Sequence, residues 1–341
     1  MIKYGIVGAG WRSEFYLRIA ALMPDSFKVS GIYIRNAQKQ KEFASKYNVN
    51  ICSSLEELLK TDFDFIVSCV NKTGICDTVR LLAGKNIPVL TETPIGTSLK
   101  EIDDFLAEIK PEWRVQVAEQ FHFQPRNQAI KAIIDSGILG EITQVQLSCC
   151  HDYHAASLIR FFLDTGYEIP EASSFTLSDT VNRYNSRRGL LSKPETVTAE
   201  EKFAVLKFKG KTAVYDFNYE QYFSDIRASR IVIRGTNGEI INDRCTYLKE
   251  GLPHSFSLQR NSYGANESLD GFTLVNITAE GKVLYENPFK SARLSDEEIA
   301  ISTCLLNMKK YLETGISFYT LEEAAADSKI FLSCQKYRNS Q

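Results

Sequence analysis

The stretch Ile2-Lys3-Tyr4-Gly5-Ile6-Val7-Gly8-Ala9-Gly10-Trp11-Arg12-Ser13 constrains this chain more than any other. Ile2, Tyr4, Ile6 and Val7 supply the apolar and β-branched positions of a buried strand, and a helical stretch follows Gly10 to about Leu22. A strand that enters a helix through glycines has few folds open to it. Gly8 permits a tight turn, Gly10 lets the backbone approach a ligand, and the helix start offers N–H groups and a positive dipole end. A dinucleotide pyrophosphate is held in this way. The third fingerprint position is Ser13 instead of glycine, so the pattern reads Gly-x-Gly-x-x-Ser.

With 341 residues the chain exceeds one ordinary core, which implies two domains. A formal net charge of −2 leaves no broad basic footprint for nucleic acid or an anionic membrane, so the expected partner is a small molecule. No apolar run nears the roughly 20 residues of a membrane span, and Met1 leads directly into the first strand without a leader pattern. A cytoplasmic protein is expected. The eight cysteines form no Cys-x-x-Cys and read as reduced, buried small hydrophobes. Cys149, Cys150, His151 and His154 are all ligand types, but adjacent strand residues point to opposite faces, so no metal site is expected.

Over residues 1–119 strands alternate with helices: Val29–Ile34, Phe63–Val70, Ile87–Thr91 and Val115–Ala118 as strands, with helices over Gln38–Tyr47, Ser54–Leu59, Gly74–Ala83 and Ser98–Ile109. This is the pattern of a Rossmann-type, doubly wound parallel sheet. Such a sheet binds its ligand at the carboxyl ends of its strands. The glycine turn, with Trp11, Arg12 and Ser13, is therefore expected to hold the dinucleotide, together with Asn71, Glu92 and Gln120 in the later loops. At the end of the second strand Arg35 and Asn36 stand where an acidic residue would select NAD. Their presence favours NADP(H), with NAD(H) possible.

Three further stretches follow in order: Thr91-Glu92-Thr93-Pro94-Ile95-Gly96, then Gln120-Phe121-His122-Phe123-Gln124-Pro125-Arg126, then Ser136-Gly137-Ile138-Leu139-Gly140-Glu141-Ile142 after a helix. With them the chain resembles the glucose–fructose oxidoreductase and inositol dehydrogenase (Gfo/Idh/MocA) family over essentially its full length. The resemblance implies a dinucleotide-binding domain at 1–119 and a substrate and oligomerisation domain at 120–341, an α+β unit with a large, mainly antiparallel sheet. It further implies NAD(P)-linked oxidation or reduction of a sugar, cyclitol or related polyol. Relatives carry Glu-Lys-Pro where this chain has Glu92-Thr93-Pro94, and a threonine supplies no positive charge to a developing alkoxide. The histidine often found in the loop after Val70 is absent, and the family's Arg-Phe-x-Pro reads His122-Phe123-Gln124-Pro125.

After a strand at Ile142–Ser148, the residues Leu158, Ile159, Phe161 and Phe162 recur at helical spacing, which puts His154 near a helix start. Relatives use a histidine at this position on the substrate hydroxyl, followed by an aspartate where this chain has Ser157. Removing hydride from a carbinol carbon needs an acceptor for the hydroxyl proton, and an imidazole serves near neutral pH. His154 is thus the candidate acid/base, with Thr93 and His122 as candidate groups on the reacting oxygen. Arg160, six residues on, reads as a solvated helix arginine.

Hairpins are expected from Phe203–Phe208 into Thr212–Tyr219 and at Asn237-Gly238, building a sheet whose open face makes a homodimer or homotetramer. Tyr215, Phe217, Tyr219, Tyr222 and Phe223 are expected to pack that sheet. The basic run 182–189 reads as a solvated loop, 251–271 as an irregular loop, and helices Asp296–Glu313 and Leu321–Gln335 as the second domain's closing pair. Two other readings remain open: a dinucleotide-binding sensor or scaffold with little turnover, and an enzyme that oxidises a sugar carbon only transiently.

Overall fold

The structure is a computed structural model that describes residues 1–264 and 271–336. Its first stretch alternates β1 (Ile2–Val7), α1 (Trp11–Leu22), β2 (Phe27–Tyr33), α2 (Ala37–Lys46), β3 (Ile51–Cys52), α3 (Leu55–Leu58), β4 (Phe65–Ser68), α4 (Ile75–Ala83), β5 (Val89–Thr91), α5 (Leu99–Glu108) and β6 (Val115–Val117). The strands pair in the order β3-β2-β1-β4-β5-β6, every pair parallel. β4, β5 and β6 are buried along their whole length, as a sheet covered on both faces requires. Ser54 and Ser98 cap α3 and α5 by accepting from the backbone N–H of Glu57 at 3.1 Å and of Glu101 at 3.2 Å.

The chain continues through α6 (Pro125–Asp135), β7 (Ile142–Ser148), α7 (Asp152–Leu163), β8 (Glu171–Ser186), β9 (Gly189–Phe208), β10 (Lys211–Asn218), β11 (Arg230–Gly235), β12 (Gly238–Ile241), β13 (Arg244–Lys249) and β14 (Leu252–Ser257). Then come β15 (Gln259–Tyr263), β16 (Thr273–Ala279), β17 (Lys282–Glu286), α8 (Asp296–Thr314) and α9 (Leu321–Lys336). The larger sheet runs β14-β13-β12-β11-β7-β10-β9-β8, with β10 and β7 parallel and the other described pairs antiparallel. β15, β16 and β17 form a third sheet. No helix among the described residues is long and apolar enough to cross a membrane.

Two compact units result: residues 1–127, 261–276 and 286–325 form the first, and the remainder forms the second. This differs from a division into 1–119 and 120–341. α8 joins the first unit, where Glu298 pairs with Arg18 of α1 and the Lys309 ammonium lies 2.8 Å from Asp64. The Val117 N–H donates to the Tyr319 carbonyl at 2.9 Å, anchoring the chain after α8 to the end of β6. Amphipathicity identifies α8 as a helix but carries no information on which core it covers.

Other expectations change within the second unit. The basic run 182–189 is not a loop: it is the end of β8, a two-residue turn and the start of β9. Arg183 there is held by Glu220, its Nε 2.8 Å from a carboxylate oxygen. Of the loop expected over 251–271, residues 252–257 and 259–263 are strand, while 265–270 lie outside the described residues. The β11–β12 turn sits one position earlier than Asn237-Gly238, since Gly235 and Gly238 are paired and Thr236-Asn237 form the loop. Gly238 is instead needed for space, because a Cβ there would lie 2.5 Å from the Thr246 carbonyl oxygen of β13.

Arg160 is buried. Its Nη1 donates to Asp327 at 2.6 Å, its Nε donates to the Gly166 carbonyl at 2.6 Å, and the paired side chains are 7% and 3% exposed. Removing one member of such a pair strands the other charge. Asp327→Ala is expected to lower the unfolding free energy by about 3–5 kcal/mol in denaturant titration, far more than the loss of an exposed pair such as Lys100–Asp104.

Candidate active site

In the first unit, the turn after β1 is docked on both neighbouring strands: the Gly8 N–H donates to the Tyr33 carbonyl at 2.9 Å and the Cys69 N–H to the Val7 carbonyl at 2.8 Å. Gly8 has φ +112°, and a Cβ on it would lie 2.4 Å from the Cys69 carbonyl oxygen. The fold itself requires that glycine. Gly10 differs, because the nearest atom to a Cβ there is the same oxygen at 3.6 Å. Protein packing leaves that position open, which fits a backbone kept bare for a ligand. Ser13, fully buried, donates its hydroxyl to the Gly10 carbonyl at 2.5 Å, so the third position is filled by a small side chain folded back on the turn.

Gly10 is also the N-cap of α1 and provides no side-chain cap, so the helix start keeps the character of an anion site. Trp11 and Arg12 follow directly. The Arg12 guanidinium is engaged by carboxylates, with Nη1 2.6 Å from Glu297 and Nε 3.5 Å from Glu92. Tyr16 donates to Glu92 at 2.7 Å, and the side-chain amides of Gln120 and Gln124 donate to Glu297 at 3.1 and 3.0 Å. Gln120 retains a buried Oε1 without a hydrogen-bond partner, an acceptor for a donor on a bound group. Burial raises the Glu92 carboxyl above the ordinary carboxylate range; it outweighs the opposing pull of Arg12 and the Tyr16 hydrogen bond, and Glu297 and Glu119 add to it.

The other residues singled out in this unit are spread over its loops. Asn36 is committed to capping α2, its Oδ1 accepting from the Lys39 N–H at 3.0 Å, while Arg35 is exposed beside it. Asn71 accepts from the Thr73 hydroxyl at 3.0 Å. Thr93 is half-buried after β5, and the His122 ring meets Tyr319 edge-on at 5.0 Å. Together the bare Gly10, the helix start and the unmatched Gln120 oxygen fit a dinucleotide.

The second unit builds a separate cluster where β7 gives way to α7. Asp152 takes φ +50°, a left-handed conformation that costs a non-glycine residue about 1 kcal/mol. Its N–H donates to the Tyr215 hydroxyl at 3.1 Å, Lys202 donates to its Oδ1 at 2.8 Å, and Tyr219 donates to Oδ2 at 3.5 Å. These contacts hold the bend that presents His151 and His154. His151 has Nδ1 2.6 Å from the Tyr222 hydroxyl and Nε2 3.3 Å from that of Tyr153. His154 lies in the first turn of α7, 3% exposed, with its ring 4.9 Å from His151 and 4.5 Å from Tyr153.

Burial pushes the hydroxyls of Tyr215, Tyr219 and Tyr222 well above the usual phenol range, and nearby Asp152 reinforces this for Tyr215 and Tyr219. They stay protonated at neutral pH. Sequence reasoning weighed His151 only as a metal ligand and the tyrosines as sheet packing, and it missed Lys202. A histidine pair three residues apart at a helix start was a visible signal for His151; nothing in the sequence brings Lys202 to Asp152. A small cleft borders the same Asp152–Lys202 pair and is lined by Ala155, Ile159, Leu206 and Phe331, but His154 is not on its wall. None of the eight cysteines is in a disulfide, and no group of three or more potential metal ligands occurs among the described residues.

Two outcomes test the first unit. Gly8→Ala is expected to impair folding, whereas Gly10→Ala should keep the melting temperature while weakening nucleotide binding. Because the folded Glu92 carboxyl titrates above its unfolded value, its contribution is fully present below about pH 4.5 and is lost as pH rises through the raised value. Urea denaturation of Glu92→Gln against the parent protein should show the variant gaining relative stability across that rise and then levelling.

Residues 2–121 match the Gfo/Idh/MocA profile, an oxidoreductase family with an NAD-binding Rossmann fold. An L-aspartate dehydrogenase of Methanococcus maripaludis is 30% identical over 159 residues, 45% of this chain and 57% of that protein. A scyllo-inositol 2-dehydrogenase (NADP(+)) of Bacillus subtilis is 29% identical over 112 residues, 32% of this chain and 34% of that protein. The chain thus spans about half or less of the length of these curated relatives. The fold extends further than the sequence likeness: a myo-inositol dehydrogenase from Corynebacterium glutamicum superposes with a TM-score of 0.63 over 99% of this chain and 96% of that one, at 15% identity. The sequence likeness to the Gfo/Idh/MocA oxidoreductases therefore lies in residues 2–121, the N-terminal Rossmann stretch of the chain.

Proposed function

We propose that this protein is an NADP-preferring oxidoreductase that exchanges hydride between nicotinamide and a carbinol carbon of a sugar, cyclitol or related polyol, with His154 moving the hydroxyl proton. The observation that carries this reading is the cluster at the start of α7, where His154 sits in the first turn beside His151 and Tyr153, since an imidazole can accept a proton near neutral pH. The bound cofactor supplies the hydride acceptor. In the forward direction the carbinol carbon gives up hydride, the hydroxyl proton passes to imidazole and a carbonyl forms.

Thr93 and His122 are assigned to the reacting oxygen, Thr93 by hydrogen bonding and His122 by supplying charge that Thr93 lacks. Glu92 serves to orient the loop. The chemistry named for the two curated relatives, a cyclitol in one and an amino acid in the other, makes both substrate classes part of a screen. Exposed Phe175, Leu177 and Val205 share one face of the larger sheet, which favours assembly into a homodimer or homotetramer. The neutral Thr93 and the burial of His154 support a second reading, a dinucleotide-binding sensor with little turnover.

Calorimetric titration with NADPH and NADH in parallel comes first. NADPH is expected to bind more tightly by about tenfold or more, and binding of neither by folded protein would overturn both readings. His154→Asn should then retain cofactor binding and lose about 10²–10⁴ in turnover. Unchanged turnover would remove His154 from the mechanism, and full cofactor binding with no turnover in the parent protein on any polyol or amino acid would favour the sensor.

A further inference from the structure

We infer that Cys149 and Cys150 are a redox modification site, a dithiol that a small disulfide such as oxidised glutathione closes to a ring, moving the segment that carries His151. Adjacent cysteines on a regular strand point to opposite faces, which is how the sequence alone reads. The pair lies just past the strand. β7 ends at Ser148, the backbone bends over residues 149 and 150, and the two Sγ atoms come to 3.9 Å. A disulfide holds its sulfurs about 2.05 Å apart, so closure asks each to move by about 1 Å.

The burial of the two thiols sets the order of events. Cys149 is partly exposed and Cys150 is fully buried. The Cys149 thiolate attacks one sulfur of oxidised glutathione, forming a mixed disulfide and releasing one glutathione thiolate, which takes up a proton. Cys150 then loses its proton and attacks the Cys149 sulfur, and the second glutathione leaves as a thiolate that takes up that proton. The dithiol gives up two electrons and two protons, and one glutathione disulfide becomes two thiols. Cys150 never has to meet the reagent itself. Cys334 is the other half-buried cysteine, but burial pushes its thiol up to about 11 and its Sγ lies 3.4 Å from the Ile330 carbonyl, not beside a second sulfur.

Closure acts on the next residue. The His151 N–H donates to the Tyr222 hydroxyl at 3.0 Å, and His151 Nδ1 lies 2.6 Å from the same oxygen. That hydroxyl lies within electrostatic reach of both thiols. A shift of the backbone at 149–150 therefore displaces the contacts that hold His151. None of this depends on the dinucleotide reading of the first unit.

The test is peptide mapping by mass spectrometry of the full chain after exposure to oxidised glutathione, followed by reduction with dithiothreitol. In the parent protein the peptide containing both cysteines is expected to lose two hydrogens, keep no glutathione and return to the dithiol on reduction. Cys150→Ser should stop with one glutathione on Cys149. Of the four histidines, His151 should shift its ring NMR signals on oxidation, while His254 on β14 keeps its own. A parent protein that keeps both thiols, stops with glutathione on Cys149 or links two chains overturns the ring, whether or not the variant folds. A closed ring with unmoved His151 signals overturns its effect on the segment.

Discussion

The guanidinium of Arg12 lies between Glu92 at the end of β5 and Glu297 in the first turn of α8, joining segments as far as 285 positions apart. One cation shared by two carboxylates in a buried setting is an uneven balance. Burial drives Glu92 toward its protonated form, and Tyr16 and the amides of Gln120 and Gln124 satisfy the remaining acceptors. The start of α1, the loop that begins with Thr93 and the turn carrying His122 are placed by this one network. Removing a charge from it disturbs all three, since a buried ion left alone costs more than the pair contributes.

The second unit solves a different problem, the change of direction from β7 into α7. A non-glycine residue in the left-handed region persists where its surroundings over-determine it. At Asp152 they do so through Lys202 from β9, Tyr215 from β10 and Tyr219 just beyond β10. The aromatic run 215–223 therefore has a role beyond sheet packing. Its hydroxyls hold the backbone and side chains of the segment that carries both histidines.

The comparison of sequence and structure is uneven along the chain. β1, the glycine turn, the helices and the parallel order were legible because each depends on neighbouring residues: apolar runs for strands buried on both faces, helices opening at Ser54 and Ser98, Gly8 at a positive φ. The hairpin from β9 into β10 was legible for the same reason, with Gly210 at φ +74° in its two-residue loop. The extent of β8 and β9 was not, because their paired segments are mixed in polarity and contain Pro194, and strand identity there comes from the partner. Arg160 was misread because a helical position does not reveal that Asp327 comes to meet it.

The sequence by itself determined the Rossmann alternation, the glycine turn at Gly8–Gly10, the missing lysine at Thr93 and the histidine at the start of an apolar helix. These are written in short-range patterns of side-chain size, polarity and backbone freedom. Only the tertiary structure decided that α8 joins the first unit, that Asn36 caps a helix while Lys39 faces the glycine turn, that Arg160 is buried against Asp327, and that His151 sits among tyrosine hydroxyls. Each is a pairing of groups far apart in the chain or turned toward each other by a helix. Ion pairs and hydrogen bonds of this kind depend on distances of a few ångströms, which local sequence does not specify.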